Sequence, residues 1–119
     1  MDFESVREAL AEFMDELPQG IYDELNGGVI LLPDTVYRDE PELRHLCVLG
    51  RYNYQPHGLG RFITVYYGSL QEAYGRLSPE EQREKLRGVL HHELTHHIES
   101  LAGDYSLERQ DELDLEDYR

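Results

Sequence analysis

The 119 residues contain a single cysteine, Cys47. No internal disulfide can form, and the expected setting is a reducing cytoplasm. A lone Cys inside an apolar segment is expected as buried filler rather than as a nucleophile. Cationic side chains are also scarce: 11 Lys and Arg stand against 25 Asp and Glu, a formal charge of −14. Phosphate recognition needs clustered Lys and Arg, so no nucleic acid is expected as partner, and no anionic membrane either. Basic peptides remain compatible with an acidic surface, although solubility is its commoner use. No apolar run approaches the length needed to span a bilayer. Met1-Asp2-Phe3-Glu4 lacks the basic and apolar regions of a signal peptide. Internal repeats and linkers are absent too, so residues 1–119 are expected to form one domain with a modest core, its last part the acidic stretch 104–119.

What the chain does have is His92-Glu93-Leu94-Thr95-His96. This is H-E-x-x-H, the zinc signature of a large class of metallopeptidases. Residues four apart share one helix face, so His92 and His96 can aim two imidazoles at one point. Neutral imidazole nitrogens suit zinc, a borderline-soft ion. Glu93 projects from an adjacent face, where it can take a proton from an activated water without being a ligand. Zinc lowers the pKa of bound water from about 15.7 to roughly 7. The bland alternative, solvated helix histidines spaced by accident, is weakened because the local sequence also specifies the helix. Ser78-Pro79-Glu80-Glu81 reads as N-cap, N1 proline and the far end of an S-x-x-E capping box. Leu86, Leu90, Leu94, Ile98 and Leu101 recur with helical period, and Gly103 is a natural stop. A helix is expected from about Pro79 to about Ala102, with both histidines to one side of its apolar stripe.

The remaining elements point to an α+β fold. Phe3, Val6, Leu10, Phe13, Met14 and Leu17 form the apolar face of a helix over residues 2–16, ended by Pro18 and Gly20. Residues 21–25 add a short helical turn. Val29-Ile30-Leu31-Leu32 reads as a buried strand stopped by Pro33, followed by a polar loop over 33–45. Residues 46–54 read as a second strand, with Gly50 as a bulge. Residues 55–60 form a turn, and residues 61–67 are the strongest strand of the chain, aromatic and β-branched throughout. A short helix over 69–76 precedes the long one. Residues 113–119 read as a solvated or frayed acidic tail.

On these residues the chain resembles the small single-domain zincin-like metallopeptidases sometimes called minimal zincins. The resemblance spans nearly the whole chain. It rests on the helix ending at Leu17-Pro18, on Leu49-Gly50-Arg51-Tyr52, on the strand Phe62 to Tyr67, and above all on His92 to His97. It implies a small mixed sheet with an N-terminal helix and a long active-site helix, one zinc ion, and hydrolysis of a peptide or protein substrate. The family pattern places a Gly three residues after the second histidine and an Asp ligand three residues later. Here Glu99 takes the Gly position and the first Gly is Gly103, so the helix runs about one turn further. The third ligand must then return to the metal from beyond Gly103. Asp111 has the reach at about 3.3 Å per extended residue, and Leu107 to Asp111 resembles the family's ligand-bearing stretch. Glu108, Asp104 and Glu99 are the other candidates.

The expected activity is therefore zinc-dependent hydrolysis of peptide bonds, with His92, His96 and Asp111 on the metal and Glu93 as general base. The expected location is cytoplasmic. Two alternatives stand beside it: a zincin-like metal-binding module that recognises a protein partner with little or no hydrolysis, and a protein whose histidines hold no metal. His91 and His97, which flank the motif, are expected to be structural, with His97 towards the core side of the helix.

Overall fold

A computed structural model describes residues 1–103 together with the backbone of residues 111–114. The chain is α+β. Helix α1 spans Phe3–Asp15 and is capped by Asp2, whose carboxylate accepts from the Ser5 N–H at 2.8 Å. Its Val6, Ala9, Leu10 and Phe13 are buried. A 3-10 turn at Gln19–Tyr22 leads to strand β1, Gly28–Leu32. Strands β2, Val48–Gln55, and β3, Gly60–Tyr66, form a hairpin. Helix α2, Tyr67–Tyr74, precedes helix α3, Pro79–Leu101, and strand β4 covers Asp111–Asp114. The sheet order is β1-β3-β2-β4, with β1 parallel to β3 and the other pairs antiparallel. Among the described residues no helix is long and apolar enough to cross a membrane.

The capping box expected from the sequence sets the start of α3. Ser78 Oγ accepts from the Glu81 N–H, and the Glu81 carboxylate accepts from the Ser78 N–H, both at 3.2 Å. From there α3 lies across β2 and β3 and along α1. Leu86, Val89, Leu90 and Leu94 enter a core shared with Phe13 of α1 and Leu49, Tyr52, Ile63 and Val65 of the sheet. Arg83 and Arg87 bridge back to Glu12 and Glu16 of α1, and the Arg87 guanidinium lies 4.2 Å from the Phe13 ring centre. Gly103 ends the helix in the left-handed region, φ +93°, as a glycine without a Cβ can.

Three expectations change. The 29–32 segment is half-buried along its length rather than buried, because β1 is an edge strand with a single partner. The apolar stripe of α3 does not stay in the core: Ile98 and Leu101 are exposed, although Leu94 one turn earlier is buried. The reading of 113–119 as a frayed tail is corrected at Leu113 and Asp114, which belong to β4. The outer edge of β2 carries backbone N–H and C=O groups that an extended segment can satisfy. The bulge expected at Gly50 is present as a register shift between Val48 and Gly50 against β4. Cys47 is buried as expected, and burial pushes its thiol pKa up.

Candidate metal centre

Helical spacing places His92 and His96 together on one flank of α3, both half-buried. Their Nε2 atoms are 2.9 Å apart, and the rings meet edge to face with centroids 4.6 Å apart. On the other side of the His96 ring, Nδ1 lies 3.6 Å from Glu99 Oε1. One of the two Nε2 atoms can donate to the other, the roles being set by the tautomers of the two rings. Two nitrogens that share one proton form a donor set a cation can take over. Two ligands at 2.0–2.1 Å from one tetrahedral zinc ion lie roughly 3.3 Å apart. The pair would therefore have to open by only a few tenths of an ångström to occupy two positions on such an ion.

Glu93 leaves the helix towards the sheet and is fully buried. It meets β2 at Gly50. A Cβ at that position would lie 2.8 Å from Val89 Cγ1 and 3.4 Å from Glu93 Oε2. The missing side chain is what lets the β2 backbone approach the Glu93 turn of α3. Gly50 thus serves the site as well as the bulge. Its sequence signal was a glycine inside a strand, which marks close backbone approach as often as a bulge.

The expected third ligand is only partly located. The Asp111 backbone opens β4, paired with Tyr52 of β2, so the chain does return to the sheet after leaving α3. The Asp111 side chain lies outside the described residues, as do Asp104 and Glu108. Glu99 is half-exposed at the back of the His96 ring. Among the described residues, no group of three His, Cys, Asp or Glu side chains gathers as a metal site.

The flanking histidines differ from each other. His91 is exposed, whereas His97 is fully buried. His97 Nε2 lies 2.8 Å from the Asp23 carbonyl oxygen, and Nδ1 lies 2.8 Å from the Tyr52 hydroxyl. A carbonyl can only accept, so Nε2 carries the proton and Nδ1 accepts from Tyr52. Burial lowers the His97 pKa; the Asp23 bond works against that shift and the nearby Arg61 charge adds to it. The neutral ring matches these two bonds. The pairing of His97 with Tyr52 and Asp23 is not legible in the sequence, because hydrogen bonds across 45 and 74 residues leave no spacing signal.

No family model and no curated protein matches the chain. Among solved structures, it is similar to a conserved hypothetical protein from Thermo thermophilus, with 32% identity and a TM-score of 0.71 over 86% of this chain and 98% of that one. At that identity and coverage, the chain belongs to the same family as that conserved hypothetical protein.

Proposed function

We propose that this protein is a zinc-dependent metallopeptidase of the minimal zincin type. The observation that carries the reading is the His92–His96 pair, with Nε2 atoms 2.9 Å apart on the helix whose next inward side chain is the buried Glu93. His92 and His96 hold the ion, and a carboxylate from beyond Gly103, Asp111 by the sequence reading, completes the set. Zinc bound there supplies Lewis acidity: it polarises the scissile carbonyl and brings the pKa of water towards roughly 7. Glu93 takes the proton of the attacking water and passes it to the leaving amine. Its carboxylate lies beside the bare Gly50 backbone, where a Cβ would come within 3.4 Å of Oε2. Glu99 lies beside His96 Nδ1, where its charge would support the imidazole when the ion is bound. The edges of the sheet are β1 and β4, since β2 and β3 are paired on both sides. An extended peptide would add at one of these edges, in the manner of an added strand.

The test combines metal content with turnover. The native chain should bind about one zinc, and the His92→Ala/His96→Ala double variant should lose it. Glu93→Gln should keep zinc and lose hydrolysis of a peptide library by at least roughly 10²–10⁴-fold. Zinc retained by the double histidine variant would sink the metal site. Zinc bound without turnover by the native chain would favour a binding module over an enzyme.

A further inference from the structure

We propose that Tyr52, His97 and Arg61 form a positioning device that sets the roll of α3 against the sheet, and through it the closure of the metal site. The inference rests on the metallopeptidase reading above. His97 follows His96 directly but points about 100° further round the helix, into the core. Both of its ring nitrogens are engaged, by the Tyr52 hydroxyl of β2 and by the Asp23 carbonyl of the turn before β1. The Tyr52 hydroxyl also accepts from Arg61 Nη1 of β3 at 3.3 Å, and Arg61 donates in addition to Ser100 Oγ, three residues beyond His97 on α3. One turn of α3 is thereby tied to three other segments. Glu24, immediately after Asp23, holds φ +63°, a conformation that L side chains rarely adopt. The turn that presents the Asp23 carbonyl is itself held in an uncommon shape.

Apolar contacts resist separation but are non-directional. Hydrogen bonds to a ring fix angle as well as distance. The angle matters because, on the metallopeptidase reading, the third ligand would come from beyond Gly103 and outside the helix, so the histidines would have to be placed relative to the sheet. An imidazole nitrogen stands roughly 7 Å from the helix axis, of which about 2.3 Å is the Cα radius. A roll of about 10° moves it by roughly 1 Å, and functional constellations tolerate about 0.5 Å. Tyr52 sits where the two halves meet. Its side chain holds His97, and its backbone pairs with Asp111 in β4. The bond that sets α3 is made on the same rung that receives the returning chain.

The test is the affinity of the folded chain for zinc alone, read by competition with a chromophoric chelator, together with the absorption spectrum of the cobalt-substituted protein. Tyr52→Phe removes one hydroxyl and keeps the ring. It should weaken zinc roughly 10–100-fold, as loss of supporting groups around a metal does, and shift the cobalt bands. Val6→Ala, a buried α1 position outside the network, should lower the melting temperature and leave affinity and spectrum native. Ser100→Ala, which only loosens Arg61, should weaken zinc by about threefold or more, and it decides the matter should Tyr52→Phe not fold. Native affinity in a folded Tyr52→Phe chain, or in Ser100→Ala where that chain does not fold, overturns the inference. So does an equal loss in Val6→Ala, since stability alone would then explain it. A native chain with no zinc affinity overturns the metallopeptidase reading, and this inference with it.

Discussion

Six histidines share one chain, and of the four on α3, His91, His96 and His97 have three different environments. His96 turns its Nε2 to His92 and its Nδ1 to Glu99. His97, the next residue, is sealed in the core with a fixed tautomer. His91 stays in solvent. Helix phase separates the first two, which is why the sequence could assign them; the partners of His97 required the fold. The same contrast between local and distant partners governs the surface carboxylates. Glu40 sits two residues from Arg38, whose guanidinium reaches both of its oxygens at 2.9 and 3.1 Å. Those hydrogen bonds hold its pKa down to about 2, from an ordinary 4.5. Because the folded pKa is the lower one, the stabilising contribution is complete above about pH 4.5 and is lost as pH falls through about 2. A carbon-detected titration should place the Glu40 midpoint near 2, and Arg38→Ala should return it towards 4.5. A midpoint that ignores Arg38→Ala would mean the pair does not form in solution.

At the scale of elements, α3 is the most legible part of the chain. Its capping box, proline and glycine are local signals, and local backbone chemistry fixes where it starts and stops. The strands are less so. Val29 to Leu32 has the composition of a buried strand, yet β1 is half-buried, because edge or centre is decided by the order in which strands pair. Strand β4 has no strand-like composition, and its pairing comes from the open edge of β2. The contact of α3 with β2 at Gly50 makes a specific demand. Gly50→Ala would push a methyl to 2.8 Å from Val89 Cγ1 and 3.3 Å from the Thr64 carbonyl oxygen, and Val89 is fully buried. Overpacking of this kind costs about 1–3 kcal/mol. Urea unfolding should show that loss, and the displaced Glu93 should lower turnover in the variant that still folds. Unchanged stability would show that the helix has room to withdraw.

For the whole molecule, the question is how the two halves of the proposed metal site would meet. Helix α3 carries the histidines, and β4 brings the chain back beside β2 with Asp111 opposite Tyr52. The expected outcome of a carboxylate series is that Asp111→Ala weakens zinc by at least roughly 10-fold, with smaller effects from Glu108→Ala, Asp104→Ala and Glu99→Ala. Glu99 is the informative control, since it touches His96 at Nδ1 and should tune affinity without abolishing it. Tight zinc binding by Asp111→Ala, with loss in one of the other three, would give that residue the ligand's place.

The sequence by itself determined the long helix, its ends and the shared face of His92 and His96. Each of these follows from 3.6 residues per turn and from caps a few residues away. It also determined the α+β class, through runs of helical and strand-like pattern. Only the tertiary structure decided that β1 is an edge, that β4 lies beside β2, that Gly50 gives Glu93 its seat, and that Tyr52 and Asp23 hold His97. These are contacts between segments far apart in the chain. They depend on which surfaces meet when the core closes, and no periodicity along the chain encodes that choice.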